Sequence, residues 1–347
     1  MPPELPSPAL KLYIDRNALA ANWRALDRLS GAAAAGAAVK ADAYGVGAKI
    51  VVPTLREAGC RNFFVAHWSE LADIVGLTDP GGISVLHGPL SAADAAYAKA
   101  LGVKPVINSL GQARMWLAAG GGACDLMVDT GMNRLGLPST ELGDEAIARL
   151  DVDVLISHLV SAEEDVPLNA LQLRRWQEAR AIVAHRRASL ANSAGIALGE
   201  AYRGDLTRPG LALYGGIPHE KLRPHIQQVV RPMASILQVR DIAAGDSVGY
   251  NATYTASAPM RIATIALGYA DGYLRCWSGK GMLRAQGKRL PVLGRVSMDM
   301  TIIDLTESPD LREGDWVEAD YDLTLSAAVS GLSQYELLTL LGRRFGR

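Results

Sequence analysis

The chain has 347 residues, 49% hydrophobic and 20% charged, and a formal net charge of −1. That balance suits a globular protein of one large or two smaller domains, and it argues against disorder, nucleic-acid binding and adsorption to an anionic membrane. Apolar stretches break at charges or glycines well short of the roughly 20 residues a membrane span needs, and Cys60, Cys124 and Cys276 are too few and too scattered for a disulfide framework or a zinc site, which predicts a reducing cytoplasm and no metal.

Met1 to Leu12 contains several prolines and no basic-then-apolar pattern, so no secretory leader is expected. From Val39 to Gly215 short apolar runs alternate with longer amphipathic ones. Those ending Ala38-Val39-Lys40, Phe63–Ala66, Ile83–Leu86, Val103–Ile107, Leu126–Val128, Val154–Ser157, Ala188–Ala191 and Asp205–Thr207 read as buried strands. Between them, stretches such as Ala92–Leu101 and Leu171–His185 have helical spacing and a charged face. Alternation repeated about eight times predicts a (β/α)8 TIM barrel, with a doubly wound sheet as the alternative. Beyond Val230 the runs shorten and become β-prone: Ser235–Val239, Val248–Tyr254, Arg261–Ala266, Pro291–Val296, Thr301–Leu305 and Trp316–Glu318. The expected organisation is a barrel over residues 1–230 and an all-β domain over 231–347, with Pro232 near the boundary. A first strand, at about residues 11–15, pairs with the β domain, and a helix from Gln334 to Leu341 closes the chain.

The chemistry-bearing residues cluster at strand ends. Lys40 follows an alanine-rich strand and precedes a glycine-punctuated turn, where a desolvated amine can lose its proton and condense with an aldehyde. By position alone a solvated lysine at a strand end is the preferred reading, since lysines are common there. Asp129-Thr130-Gly131-Met132-Asn133-Arg134-Leu135-Gly136 places a guanidinium in a turn suited to an anion. His158 ends the next strand. Asn192-Ser193-Ala194-Gly195 and Arg208-Pro209-Gly210-Leu211 follow the seventh and eighth strands, where barrels often bind phosphate through backbone N–H groups and small side chains. Gly249-Tyr250-Asn251, Gly268-Tyr269-Ala270-Asp271-Gly272-Tyr273 and Ser297-Met298-Asp299 form turn-like clusters in the β domain.

Taken together and in order, these segments resemble the alanine racemases, fold type III pyridoxal-phosphate enzymes. The resemblance runs from Tyr13-Ile14-Asp15 to Tyr335-Glu336. It implies that Lys40 holds the cofactor covalently and acts as one acid/base, with Tyr250 as the second on the opposite face of the substrate. It assigns the cofactor phosphate to Tyr44, Ser193, Gly210, Leu211 and Tyr335. Arg134 is assigned to the cofactor's phenolic oxygen and the substrate carboxylate. His158 lies beside the ring, Arg208 faces its pyridine nitrogen, Asn192 lines the site, and Tyr269 and Met298 narrow the entrance. Family members are homodimers in which Tyr250, Tyr269 and Met298 reach the partner's lysine site. The implied activity interconverts L- and D-alanine and supplies D-alanine as a peptidoglycan precursor. A free tyrosine has a pKa near 10, so Tyr250 needs cationic neighbours, and His158 and Arg208 are the expected ones.

Departures from the family pattern carry their own expectations. Many members have a lysine, often carbamylated, where this chain has Met127, and that carbamate orients the arginine equivalent to Arg134. A buried guanidinium without a partner is costly, so a bound chloride, or failing that a carboxylate or amide, is expected beside Arg134. Val46 and Asp42 replace the usual histidine and asparagine, and Arg343-Arg344-Phe345-Gly346-Arg347 replaces the usual Arg-Val-Pro-Arg ending. A racemase of broader range, acting on serine or lysine, is the alternative activity. A decarboxylase of the same fold type is disfavoured because Arg208 stands where that group has a carboxylate. A non-catalytic cofactor carrier would resemble the barrel alone, and the β domain with Tyr250 argues against it.

Overall fold

The structure is a computed structural model and describes residues 6–346. Met1 to Leu5, within the stretch examined for a leader, and Arg347 lie outside the described residues. The chain divides into two compact units, residues 16–227 and residues 6–15 with 228–346.

Residues 16–227 form the expected barrel. Seven parallel strands, Ala37–Ala38, Phe63–Val65, Ile83–Val85, Lys104–Ile107, Ala123–Met127, Asp151–Ile156 and Arg187–Ser189, run side by side in chain order. An eighth, Leu206–Thr207, closes the ring. On one side Asp205 and Arg208 donate backbone N–H groups to Ala188 and Ala191. On the other, Ala34, Gly36 and Ala38 donate to Asp205, Thr207 and Pro209. The interior is filled by Phe64, Val106, Met127, Val154, Ile156 and Leu206. Several helices begin where the sequence supplies a cap. Ser91 accepts from Asp94 N at the start of Ala92–Leu101 and Asp94 reaches back, while Gly102 ends that helix in the left-handed region. Strand tips and the connections that follow them therefore collect at one rim, where barrel sites are built.

The second unit is an antiparallel sheet in the order Leu10–Ile14, Val230–Ile242, Met260–Ile265, Thr301–Asp304, Lys288–Leu293, Met282–Ala285 and Trp316–Ala319, and the last strand pairs back onto Val230–Ile242. Pro232 lies inside that long strand opposite Leu12, so the change of unit falls earlier, between Gln227 and Gln228. Val248–Tyr254 is not one strand. Ser247–Val248 and Tyr254–Thr255 form a two-stranded ribbon interrupted by a 3-10 turn at Tyr250–Ala252. Gly249 and Asn251, both tolerant of positive φ, make that reversal possible. The Met282–Ala285 strand completes a hairpin through Gln286-Gly287, both at positive φ as a tight primed turn requires. Helix Leu323–Ser330, capped by Asp322, precedes the closing helix Gln334–Thr339. No helix among the described residues is long and apolar enough to cross a membrane.

Candidate active site

Lys40 leaves the first barrel strand at its rim, and the chain behind it takes an unusual path. Ala41, Asp42, Ala43 and Tyr44 all have φ between 52° and 58°, a left-handed turn built without glycine. Its own backbone closes it: Ala43 N donates to Val39 O and Gly45 N to Ala41 O. Two carboxylates brace it from outside. Asp42 Oδ1 accepts from Ala48 N at 2.7 Å. Glu70 gathers three backbone donors, Ala41 N, Ala66 N and His67 N, and so ties the lysine turn to the tip of the second strand. Burial, then Arg134, then Arg208 hold the Lys40 amine below its ordinary range, while Glu70 opposes them. An amine so placed is neutral more often than a solvated lysine and is correspondingly nucleophilic.

Arg208 is buried, and its guanidinium donates to Ser189 Oγ at 2.5 Å and to Ser157 O at 2.6 Å. Burial lowers its pKa to about 10, opposed by Asp125, so it remains a cation at neutral pH. His158 behaves differently from the expectation. Burial first, then the positive charges of Arg208, Arg134 and Lys40, lower its pKa to about 3. It is therefore a neutral imidazole and cannot be a cationic neighbour for a phenolate. Of the two expected cations only Arg208 carries a charge.

Arg134 sits on the loop after Ala123–Met127. Asp129 Oδ1 accepts from the N–H groups of Gly131, Met132 and Asn133 at 2.8, 2.9 and 3.2 Å, and Leu137 returns to pair with Val128. The loop is thus shaped by its own aspartate. Met127 is packed in the apolar barrel interior. The expected cost of a buried guanidinium does not arise in this chain, because Arg134 is exposed and water can solvate it. Among the described residues no ion pair holds it.

The seventh and eighth connections form a cradle. Asn192 Oδ1 caps the short helix Ser193–Ala197 by accepting from Gly195 N at 2.9 Å. Ser193 Oγ accepts from Gly210 N at 2.9 Å and Ala212 N at 3.3 Å, beside Leu211. A Cβ at Gly210 would lie 2.3 Å from Tyr44 Oη, so only glycine fits there. Tyr44 stacks on Tyr214, whose hydroxyl donates to Ala38 O at 2.8 Å. Burial lifts the Tyr44 phenol to about 12, so it stays a hydrogen-bonding hydroxyl. The barrel rim therefore assembles Lys40, Tyr44, Arg134, His158, Asn192, Ser193, Arg208, Gly210 and Leu211.

Tyr250, Tyr269, Met298 and Tyr335 belong to the other unit. There Tyr269 and Met298 are neighbours: Tyr269 N donates to Ser297 O and Ala270 N to Met298 O. A Cβ at Gly268 would lie 2.3 Å from Met298 O. Tyr250 is 67% exposed and Met298 is 53% exposed. Tyr335 rides on helix Gln334–Thr339.

Two groups escaped the reading of the sequence. Glu70 is one; its signal was a carboxylate three residues after His67, the spacing of a capping box. The other is a charged layer inside the barrel. Lys104 lies 2.5 Å from Asp153 and 3.6 Å from Asp125, and Arg187 also holds Asp153. Asp125 further accepts from Ser84 Oγ. Burial opposes ionisation of Asp153, but hydrogen bonds from Arg187 and Lys104 outweigh it and bring the carboxyl to about 2. The signal was a single charge amid apolar strand residues, as in Val152-Asp153-Val154.

Residues 14–218 match the alanine racemase N-terminal domain and residues 229–347 the alanine racemase C-terminal domain. The chain belongs to the alanine racemase family. It is 44% identical to the alanine racemase of Methylobacterium nodulans, over 97% of this chain and 95% of that one. Identity to the alanine racemase of Acidiphilium cryptum is 42%, over 97% of each. Its fold is similar to a crystal structure of alanine racemase from Bartonella henselae with covalently bound pyridoxal phosphate, at a TM-score of 0.89 and 35% identity over 99% of both chains. Family membership accounts for the pairing of a barrel with an antiparallel β unit.

Proposed function

We propose that the protein is a pyridoxal-phosphate-dependent alanine racemase. The observation that carries this reading is the barrel rim, where the Lys40 amine, held below its usual pKa, stands among Arg134, Arg208 and a neutral His158. The residues present fit the cofactor. Lys40 would hold its aldehyde carbon, and Ser193, Gly210 and Leu211, with Tyr44 and Tyr335, its phosphate. A side chain at Gly210 would collide with Tyr44, another of the groups assigned to the phosphate. When bound, the cofactor supplies an electron-withdrawing ring that acidifies the substrate Cα–H.

The chain's own groups then divide the work. Lys40 moves a proton at one face of Cα, and Tyr250 Oη moves one at the other. Arg208, cationic at neutral pH, would face the ring nitrogen of the bound cofactor and would disfavour its protonation, so restraining side reactions that lose the amino group. Arg134 holds the substrate carboxylate, and His158 and Asn192 line the ring. Tyr269 and Met298 set the size of the opening. The chain acts as a homodimer, each β unit completing its partner's lysine site. The cluster of Lys40, Arg134 and Arg208 makes the rim positive, and a chloride beside Arg134 is our candidate for the anion that balances it. Free thiols at Cys60, Cys124 and Cys276 suit a reducing cytoplasm, where the enzyme would supply D-alanine.

Incubation with L- or D-alanine in deuterated water tests the reading. Deuterium should enter Cα while the two enantiomers equilibrate and no CO2 is released. Borohydride should trap the cofactor on Lys40 and abolish its visible band. Absence of exchange, or trapping at another lysine, overturns the assignment.

A further inference from the structure

The last residues of the chain close over the loops that carry Tyr269 and Met298. Arg344 Nε donates to Asp271 Oδ1 at 2.7 Å, and its Nη1 donates to Asp299 Oδ1 at 2.7 Å. Asp271 stands two residues after Tyr269, and Asp299 directly follows Met298. One guanidinium therefore spans both loops. The two carboxylates differ in setting: the Asp271 side chain is 1% exposed and that of Asp299 51%. Asp271 Oδ2 accepts from Gly268 N at 3.0 Å, and its carbonyl accepts from Gly342 N at 3.1 Å. Every polar group of Asp271 is thus engaged either with the Tyr269 loop or with the chain end.

Like charges that converge repel, and a buried carboxylate without a partner is costly. A cation between Asp271 and Asp299 turns the repulsion into a clamp. Arginine suits the task because its fork presents separate N–H donors in fixed directions, whereas lysine offers one point charge. The backbone contacts of Tyr269 with Ser297 and of Ala270 with Met298 hold the loops edge to edge, and the guanidinium fixes their ends. Arg275 lies over the Tyr269 ring, 5.3 Å from its centroid, and braces the other side.

We propose that Arg344 is a positioning residue that locks Tyr269 and Met298 in place and thereby sets the size of amino acid admitted to the site. The inference rests on the reading of those two residues as the entrance. Arg344→Ala should speed hydrogen exchange at the Tyr269 and Ala270 N–H groups by about tenfold or more, leaving the strands of the sheet protected. For alanine, KM should rise about three- to tenfold with kcat within about twofold. The kcat/KM of serine relative to alanine should rise at least about threefold, because a looser opening discriminates less by size. Arg344→Lys and Asp299→Asn, which each keep part of the clamp, should fall between. Unchanged exchange and unchanged serine-to-alanine preference in Arg344→Ala would overturn the proposal. So would a uniform loss of kcat and thermal stability with the preference intact in all three variants. If the unaltered enzyme racemises no amino acid, the functional reading fails instead, and the exchange measurement still judges the clamp.

Discussion

At His158 a single side chain records the electrostatics of its surroundings. Its imidazole is neutral in the folded protein because burial and three cations lower its pKa to about 3, whereas in the unfolded chain it titrates near 6.5. Between those values the unfolded state binds the extra proton, so stability falls as pH falls through that window. His158→Gln should therefore lose less stability than the parent between pH 7 and pH 5, by about 2 kcal/mol, read from urea midpoints at the two pH values. Equal losses would mean that the ring is not held neutral. Arg134 offers a second measurement. If a small anion sits beside it, replacing chloride by a large, weakly coordinating anion at constant ionic strength should raise KM for alanine severalfold. Removing CO2 and bicarbonate should change nothing, since Met127 cannot be carbamylated. Indifference to halide would rule chloride out. Of these residues, position and type were legible from strand ends and motif order. Their charge states were not, because His158 owes its neutrality first to burial and then to Arg208 and Arg134, all of which depend on the fold.

The element most at odds with its own sequence is the turn behind Lys40. Alanine is the strongest former of right-handed helices, yet Ala41 and Ala43 lie in the left-handed region. Each such residue costs about 1–2 kcal/mol, and the opposing contributions come from elsewhere: Glu70 on Ala41, Asp42 on Ala48, and the bonds within the turn. Ala41 is exposed, so its substitutions test backbone hand without disturbing packing. Ala41→Gly should match or exceed the parent in stability by up to about 1 kcal/mol. Ala41→Val should lose about 1–2 kcal/mol and release cofactor more readily. Denaturant midpoints and cofactor retention on dialysis check both, and a valine variant as stable as the parent would show the strain to be absent. Elsewhere the elements were legible in proportion to their periodicity. Ala92–Leu101 begins and ends where its spacing and caps put it. Val248–Tyr254 looked like a strand because valine and tyrosine favour one, and the positive φ at Gly249, Asn251 and Ala252 broke it. The Met282–Ala285 strand hid because Gln286-Gly287 is a less familiar hairpin signal than Asn-Gly.

For the molecule as a whole, the proposed sharing of each site between two subunits makes a quantitative demand on mixing. Lys40→Ala and Tyr250→Phe should each be severely impaired alone. After subunit exchange of equal amounts, half the dimers are mixed and each has one site with both groups intact, so about a quarter of the normal activity should return. No recovery after confirmed exchange would make the site self-contained. The order of the chain has another consequence. Leu10–Ile14 pairs with Val230–Ala234, and Leu12 and Leu10 exchange backbone hydrogen bonds with Gly346. A ribosome releases those early residues long before their partners exist; at about 5–20 residues per second the wait lasts tens of seconds. Meanwhile residues 16–227 have everything their barrel requires and can fold behind the nozzle of the exit tunnel. A chain halted near residue 265, with the barrel unit clear of the tunnel and Val230–Ala234 still within it, should thus display a protease-resistant barrel already able to react with an aldehyde at Lys40, trailing an unpaired leading strand that chaperones or proteases reach first.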